Sequence, residues 1–205
     1  MRKALAAVAT AVAALAGGIA AAAPAQAATY PLPTSCPTRT TSPMLSRFGD
    51  TNEYFEVDNG SFASPTAGWD GSYGISPENE PWYVNPASSQ NSLSLSTGAW
   101  AKSPDLCLSA GEETTRFFYK GTGQSGSVLS VKAIITSDTG VYTYNYRLDA
   151  SFTGWRLSPV LSIPNYSYDG VQLVSLQFGN ASTYQTARPI QVDDVLVDPW
   201  RAWGY

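Results

Sequence analysis

The pattern of apolar and polar positions along the chain is that of an antiparallel β protein. Between residues 128 and 136 every second position is apolar, and the segment 141–148 alternates in the same way after a turn at 137–140. A period of two places one face of each strand in the core and the other towards solvent. These two segments therefore predict a β-hairpin with one buried face.

Comparable short runs rich in Val, Ile, Tyr, Phe and Thr continue along the chain, separated by turns of Gly, Pro, Asn and Asp. No window has a sustained helical period with caps. The sequence predicts an all-β fold, an antiparallel β-sandwich of the jelly-roll type with about ten short strands and one disulfide. The predicted strands lie near 53–57, 68–73, 92–95, 99–103, 114–120, 128–136, 141–148, 154–157, 171–178 and 190–198.

The last predicted strand carries two adjacent acidic residues. In a regular strand Ile190, Val192, Asp194 and Leu196 share one face, so Asp194 is expected to point towards an apolar layer. A buried carboxylate needs hydrogen-bond donors or a metal ion.

The first 27 residues have the pattern of a secretory signal. Arg2 and Lys3 precede an uncharged apolar run at 4–16, and Ala25-Gln26-Ala27 is a small-x-small cleavage pattern. This segment is too short to persist as a membrane anchor, and no later segment reaches a spanning length. We therefore expect a secreted protein, cleaved near Ala27, without membrane insertion.

Removing the signal leaves 205 − 27 = 178 residues, which suits a single domain. Four prolines among Thr and Ser make 28–47 an extended arm, followed by a sandwich domain at 48–205 with an aromatic C-terminal tail. The two cysteines, Cys36 and Cys107, are expected to form a disulfide that tethers the arm, because exported chains usually pair their cysteines. The alternative is two buried thiols.

Charge and composition exclude several function classes. The mature chain has 10 Lys and Arg against 16 Asp and Glu, a net charge of −6, and no cluster of cations, so a nucleic-acid partner is not expected. The chain has no histidine, which excludes Ser-His-Asp and Cys-His catalysis. A glycosidase needs two carboxylates facing each other across a cleft. Neither Glu112-Glu113 nor Glu78 with Glu80 has a persuasive spacing for this, so we expect no enzyme activity.

Three short motifs point to a family. The chain has N-G-S-F at 59–62, G-W at 68–69 and D-D-V at 193–195 of the last predicted strand. In this order they resemble carbohydrate-binding modules of the galactose-binding-like jelly-roll type. A closer resemblance is to a family of exported actinobacterial proteins without an established activity, carried by N-E-P-W-Y-V at 79–84, R-F-F at 116–118 and D-P-W-R at 198–201.

The resemblance to carbohydrate-binding modules implies a structural calcium ion that joins the early loop to the last strand. Carboxylates suit this hard cation, and Asp58, Asp193 and Asp194 are the candidate ligands. The family pattern has a Glu after the motif phenylalanine, where this chain has Ala63. The alternative is that the aspartates accept hydrogen bonds from loop amides. No other cofactor is expected.

Aromatic residues in the loops suggest a ligand. A saccharide ring can pack its C–H groups on an indole or phenol face, while a neighbouring amide binds its hydroxyls. The candidates lie in segments rich in Gly, Pro and Asn; they are Trp69, Tyr73, Trp82, Tyr83 and Asn85. The alternative is core packing, which is common for large aromatic residues, and it is favoured for Tyr142, Tyr144 and Tyr146.

The sequence therefore predicts a secreted, non-catalytic module that binds a polysaccharide or surface glycan. The alternative is a structural or interaction protein of the cell surface with a secreted protein partner. A glycoside hydrolase is the third hypothesis.

Overall fold

A computed structural model describes residues 31–64, 67–85 and 90–198 of the chain. The predicted signal sequence and the aromatic tail at 199–205 lie outside these residues. No helix in the described segments is long and apolar enough to cross a membrane. Within these described residues, one 3-10 turn, Ser46–Phe48, precedes thirteen strands. The strands are β1 (Phe55–Glu56), β2 (Asp70–Gly71), β3 (Gly74–Ser76), β4 (Ser92–Leu95), β5 (Trp100–Lys102), β6 (Leu106–Ser109), β7 (Thr114–Lys120), β8 (Val128–Ser137), β9 (Gly140–Asp149), β10 (Trp155–Leu157), β11 (Leu161–Ser162), β12 (Val171–Asn180) and β13 (Ile190–Asp198).

The strands form two antiparallel sheets. The seven-stranded sheet has the order β10-β7-β13-β4-β3, with β1 paired to β13 and β11 paired to β7. The six-stranded sheet has the order β2-β5-β12-β8-β9, with β6 paired to β12. The predicted all-β jelly-roll sandwich is confirmed.

The core between the sheets is apolar and rich in rings. Phe117 of β7 meets Phe178 of β12 edge to face, with 4.9 Å between ring centroids, and both side chains are fully buried. Burial of one phenylalanine contributes roughly 1.5–3 kcal/mol. Buried and half-buried positions alternate along β8 as predicted, because its inner face joins this core.

Strand β13 is buried along its whole length because both faces of its sheet are covered. The inner face joins the main core. The outer face carries a second hydrophobic cluster, in which Leu196 packs with Leu45 of the arm and with Phe118. Trp82 and Val84 of the loop after β3 pack against the same cluster. The arm and this loop therefore shield the seven-stranded sheet from solvent.

A β-bulge interrupts β13, so one prediction about this strand is wrong. The pairing of β13 with β7 shifts register between Asp193 and Leu196. Val192 and Val195 consequently both face the main core, whereas Leu196 faces the second cluster. The four residues 190, 192, 194 and 196 do not share a face, because the bulge inserts an extra residue. Asp194 lies in the bulge with a φ of 45°.

The predicted disulfide between Cys36 and Cys107 is present, with 5.4 Å between the Cα atoms. It ties the arm to β6. Arg39 adds a salt bridge of 3.4 Å to Glu112 and donates a hydrogen bond to the carbonyl of Cys107. Ser42 pairs with Tyr54 in an isolated bridge. The arm is therefore docked on the body, and a formed disulfide is typical of proteins in an oxidising compartment.

Every predicted strand has a counterpart in the structure, but three strands were missed. These are β3, β6 and β11, which have two to four residues each. Segments this short hold too few positions to establish an alternation.

Candidate functional site

The structure buries one of the predicted ligand-binding aromatics. Trp69 is only 7% exposed and packs against Phe62 at 4.9 Å and Phe178 at 6.0 Å between ring centroids. Its indole N–H donates to the carbonyl oxygen of Asp58 over 3.1 Å. Both the ring and its donor are satisfied inside the protein, so Trp69 offers no face to a saccharide. Trp69 therefore packs in the core, which was the alternative to ligand binding.

The other predicted residues do not form one concave surface. Tyr73 is half-buried and donates its hydroxyl to the carbonyl oxygen of Trp69. Trp82 packs between two phenylalanines of the second cluster. Asn85 is 4% exposed and donates its amide to the carboxylate of Glu56 over 2.6 Å. Only Tyr83, which is 58% exposed, presents its ring to solvent.

Two of the three tyrosines in the stripe of β9 pack against the sandwich core, which is the role that the sequence favoured for all three. Tyr142 and Tyr146 are half-buried against the core. Tyr142 stacks on Tyr166 with 4.1 Å between ring centroids, and the hydroxyl of Tyr146 donates to the carbonyl oxygen of Ser162. Tyr144, at 40% exposure, is the most open of the three.

A different aromatic residue, Trp100, lies on the solvent face of the six-stranded sheet. Its neighbour Ala101 is fully buried in the core, so the alternation of β5 turns Trp100 and Lys102 outwards. Trp100 is 36% exposed. Trp100 is not among the predicted ligand residues, because those belong to segments rich in Gly, Pro and Asn. The alternation of Trp100, Ala101 and Lys102 within a predicted strand was the available signal.

Polar side chains run across the sheet beside Trp100. Strand pairing aligns one residue from each of five strands in a single row: Asp70, Lys102, Gln177, Lys132 and Asn145. Neighbouring strands lie about 4.8 Å apart, so the row is roughly 19 Å long. Within the described segments the last four of these side chains have no hydrogen-bond or ion-pair partner. They are free to bind a ligand.

A shallow trough separates Trp100 from the next large side chains. In the adjacent row, Trp100 pairs with Gly179 of β12. The row continues across the sheet through Ser130 of β8 to Arg147 of β9. A Cβ atom at position 179 would lie in ordinary contact, 3.8 Å from the Trp100 Cβ and 4.0 Å from the Ser130 Cβ. Glycine leaves this space open beside the ring. We call Trp100, Lys102, Gln177, Lys132, Asn145 and Arg147 the sheet-face site.

A buried group of carboxyl residues connects β13 to the loop after β3. Asp193 accepts hydrogen bonds of 2.9 Å from the backbone amides of Glu80 and Asp194. Glu80 in turn accepts from the amides of Trp82 and Val84. Asp193, Asp194 and Glu80 are all fully buried. These bonds fix the loop that carries Trp82 onto the last strand.

Asp194 differs from its neighbours because both of its carboxylate oxygens lack a hydrogen-bond partner. Burial raises the pKa of Asp194 to about 9, and the charges of Asp193, Glu80 and Glu56 add to the shift. Burial likewise raises the pKa of Asp193 to about 8, although its two amide donors act in the opposite direction. Protonated Asp194 could donate to Glu80, which would satisfy both groups.

The structure does not bring together the three aspartates proposed as calcium ligands. Asp58 is exposed, and Asp193 already accepts two amide bonds. No group of three or more acidic, cysteine or histidine residues in the described part of the chain is arranged to hold a metal ion. Only the unpartnered carboxylate of Asp194 favours a cation here. A structural calcium ion therefore stays a prediction.

The glutamates considered for glycoside hydrolysis are engaged within the protein. Glu80 is fully buried, as described above, and Glu78 pairs with Lys120. The carboxylate of Glu112 pairs with Arg39 and accepts from the amide of Ser109.

No protein-family model matches the chain, and no curated protein matches it. Among solved structures, it is similar to the enzymatically active domain of bacteriophage CBA120 tailspike protein 4, with 13% identity and a TM-score of 0.45. That match covers 70% of this chain but only 21% of the tailspike chain.

Carbohydrate-binding modules are also among the similar structures. A family 16 module has 15% identity and a TM-score of 0.45, over 68% of this chain and 96% of the module. A module solved in complex with β-1,4-galactotriose has 16% identity and a TM-score of 0.40, over 69% of this chain and 92% of the module. Likeness at this level carries no functional information. Membership of the exported actinobacterial family stays a prediction from its motifs.

Proposed function

We propose that the mature protein is a secreted, non-catalytic module that binds a polysaccharide or surface glycan on the sheet-face site. The observation that supports this is Trp100, an outward-facing indole beside an open trough, with uncommitted amide and amine side chains in the adjacent row. The ring supplies an apolar surface for sugar C–H groups. Gln177 and Asn145 supply both donors and acceptors for sugar hydroxyls.

The shape of the surface favours a chain rather than a single sugar. Five strands present their polar residues in one row, roughly 19 Å long, and the trough at Gly179 and Ser130 runs beside it. Because the strands are paired within the sheet, the side chains are held by a rigid scaffold. Little backbone entropy is then lost when a glycan binds.

Replacing Trp100 with alanine is expected to weaken glycan binding at least about tenfold, because the stacking surface is removed while the hydrogen-bonding row remains. The measurement is affinity electrophoresis of the mature protein through gels containing a panel of soluble polysaccharides, followed by calorimetric titration of any glycan that retards it. Retention of the near-UV circular dichroism spectrum shows that the variant is folded.

Tyr168→Ala is the matched control, since it removes a ring that is 91% exposed. The backbone amide of Tyr168 donates to Asp138 in the turn after β8, eight residues along the hairpin from Ser130. This variant is expected to bind like the parent. If folded parent protein is not retarded by any polysaccharide, the glycan proposal fails and the interaction-protein hypothesis gains support.

A further inference from the structure

A cavity of about 530 Å³ lies at the edge of the sandwich, away from the sheet-face site. The arm forms one wall through residues 37–44. The opposite walls are β1 of the seven-stranded sheet and the start of β6 of the six-stranded sheet. Cys107 pairs with Leu173 on β12, whereas Trp100 pairs with Gly179, six residues further along and roughly 20 Å away. The two surfaces are therefore separate.

The arm that closes the cavity is held by independent contacts on both sides. The disulfide from Cys36 attaches one end to β6, and the bridge between Ser42 and Tyr54 attaches the other end beside β1. Between them, Arg39 pairs with Glu112. A cavity with fixed walls needs little rearrangement to accept a ligand.

The charged residues of the lining favour a cation. The guanidinium of Arg39 forms a salt bridge with Glu112. It also lies over the Phe55 ring, 4.4 Å from the ring centroid. Asp58 and Asp105 are exposed, and neither carboxylate has a partner among the described residues. Negatively charged carboxylates that line a cleft raise the local concentration of cations there.

The remaining lining favours an organic ion over a bare metal ion. Half-buried Met44 makes part of the wall apolar, and Phe55 and Leu106, which also line the cavity, are 2% and 6% exposed. Calcium takes six to eight oxygen ligands within about 2.6 Å. Among the residues that the structure describes, no cluster of three or more acidic residues is arranged to hold a metal ion. An ammonium group needs fewer partners, and its carbon body can fill the apolar part.

We propose that this arm cavity binds an organic ammonium ion, a primary amine on a body with an apolar face, with Asp58 and Asp105 as its counter-ions. Amino sugars and alkyl amines share this chemistry. The site is independent of the glycan surface, so its ligand does not require Trp100.

The test is titration of the ¹⁵N-labelled mature protein with two amines and their neutral analogues: glucosamine against N-acetylglucosamine, and pentane-1,5-diamine against pentane-1,5-diol. At least one amine is expected to shift the amide signals of the arm and of β6, with at least about tenfold tighter binding than its neutral partner. Glucosamine alone would indicate an amino sugar, and the diamine alone an alkyl ammonium; either supports the proposal.

The double variant Asp58→Asn/Asp105→Asn is expected to weaken amine binding at least about tenfold, because it removes both charges but keeps the side-chain shapes. Asp169→Asn, at an exposed aspartate outside the cavity, is the control and should bind normally. Trp100→Ala should also bind normally. Equal binding of a neutral analogue, shifts mapping elsewhere, no response to either amine, or a response to calcium chloride alone would overturn the proposal.

Discussion

In the absence of metal ions, the mature domain is expected to lose stability as the pH rises from about 5 to about 9. The cause is the buried pair Asp193 and Asp194, whose pKa values of about 8 and about 9 lie far above 3.8, the ordinary value of an aspartate side chain. Between these limits the folded state holds protons that the unfolded chain releases. The free energy of unfolding then decreases with rising pH.

The sign follows from the direction of the shifts. The stabilisation is complete below the unfolded pKa and disappears as the pH passes the folded pKa. Both aspartates shift in the same direction, so their effects on the unfolding free energy reinforce each other within that window. Glu78, whose pKa is lowered by its hydrogen bond with Lys120, titrates below the window and does not oppose the trend. The measurement is urea unfolding in buffers containing a chelator.

Asp194→Asn is expected to flatten this pH dependence and to raise the unfolding free energy at pH 8 to 9 by about 1–3 kcal/mol. The amide cannot ionise, and its NH₂ can donate to the neighbouring carboxylates. Asparagine also tolerates the positive φ of 45° at this position. Asp169→Asn, at an exposed site, should leave the pH profile unchanged.

The same variant distinguishes a proton from a calcium ion in the buried group. If calcium binds Asp194, adding it should stabilise the parent most at high pH, where the carboxylate is charged, and Asp194→Asn should abolish that gain. A rise in parental stability from pH 5 to 9 under chelation would contradict the protonated pair.

Removing the disulfide is expected to produce the second large loss of stability. The bond between Cys36 and Cys107 spans 71 positions of the sequence. In the chain-entropy model a loop of this length contributes roughly 4 kcal/mol, by restricting the unfolded chain. For a domain of this size, 4 kcal/mol corresponds to a decrease in Tm of about 8–16 °C.

The variant is Cys36→Ser/Cys107→Ser, which removes both thiols, measured by thermal unfolding alongside the parent with and without reductant. Reductant should reproduce the loss in the parent and have no effect on the double variant. A decrease below about 2 °C would mean that Arg39, the Ser42 bridge and the second hydrophobic cluster hold the arm without the bond.

Strands β8 and β9 were predictable from the sequence because one face of each packs towards the core and the other is turned towards solvent. Alternation identified β8 and β9, together with their hairpin turn. The disulfide followed from an even cysteine count in a chain with an export signal. These features depend on residues close in sequence or on composition, so they can be read without coordinates.

The bulge in β13 could not be read in this way. Both faces of the strand are covered, so all of its residues are buried and the sequence shows no alternation that could reveal a shift of one position. That shift decides that Asp193 meets the amide of Glu80 and that Asp194 is left without a partner. The sequence correctly predicted that Asp194 is buried. The groups that surround it, however, come from residues more than a hundred positions away in the sequence.

The candidate ligand surface also has some features that follow from the sequence and others that only the tertiary structure decides. By itself the sequence determined an acidic β-sandwich with a tethered arm and many aromatic residues, and it predicted export. Only the tertiary structure decided which rings face solvent, because packing between distant strands buries Trp69 and leaves Trp100 open beside Gly179. The arm cavity likewise forms where the arm meets β1 and β6, and there the disulfide joins residues 71 positions apart.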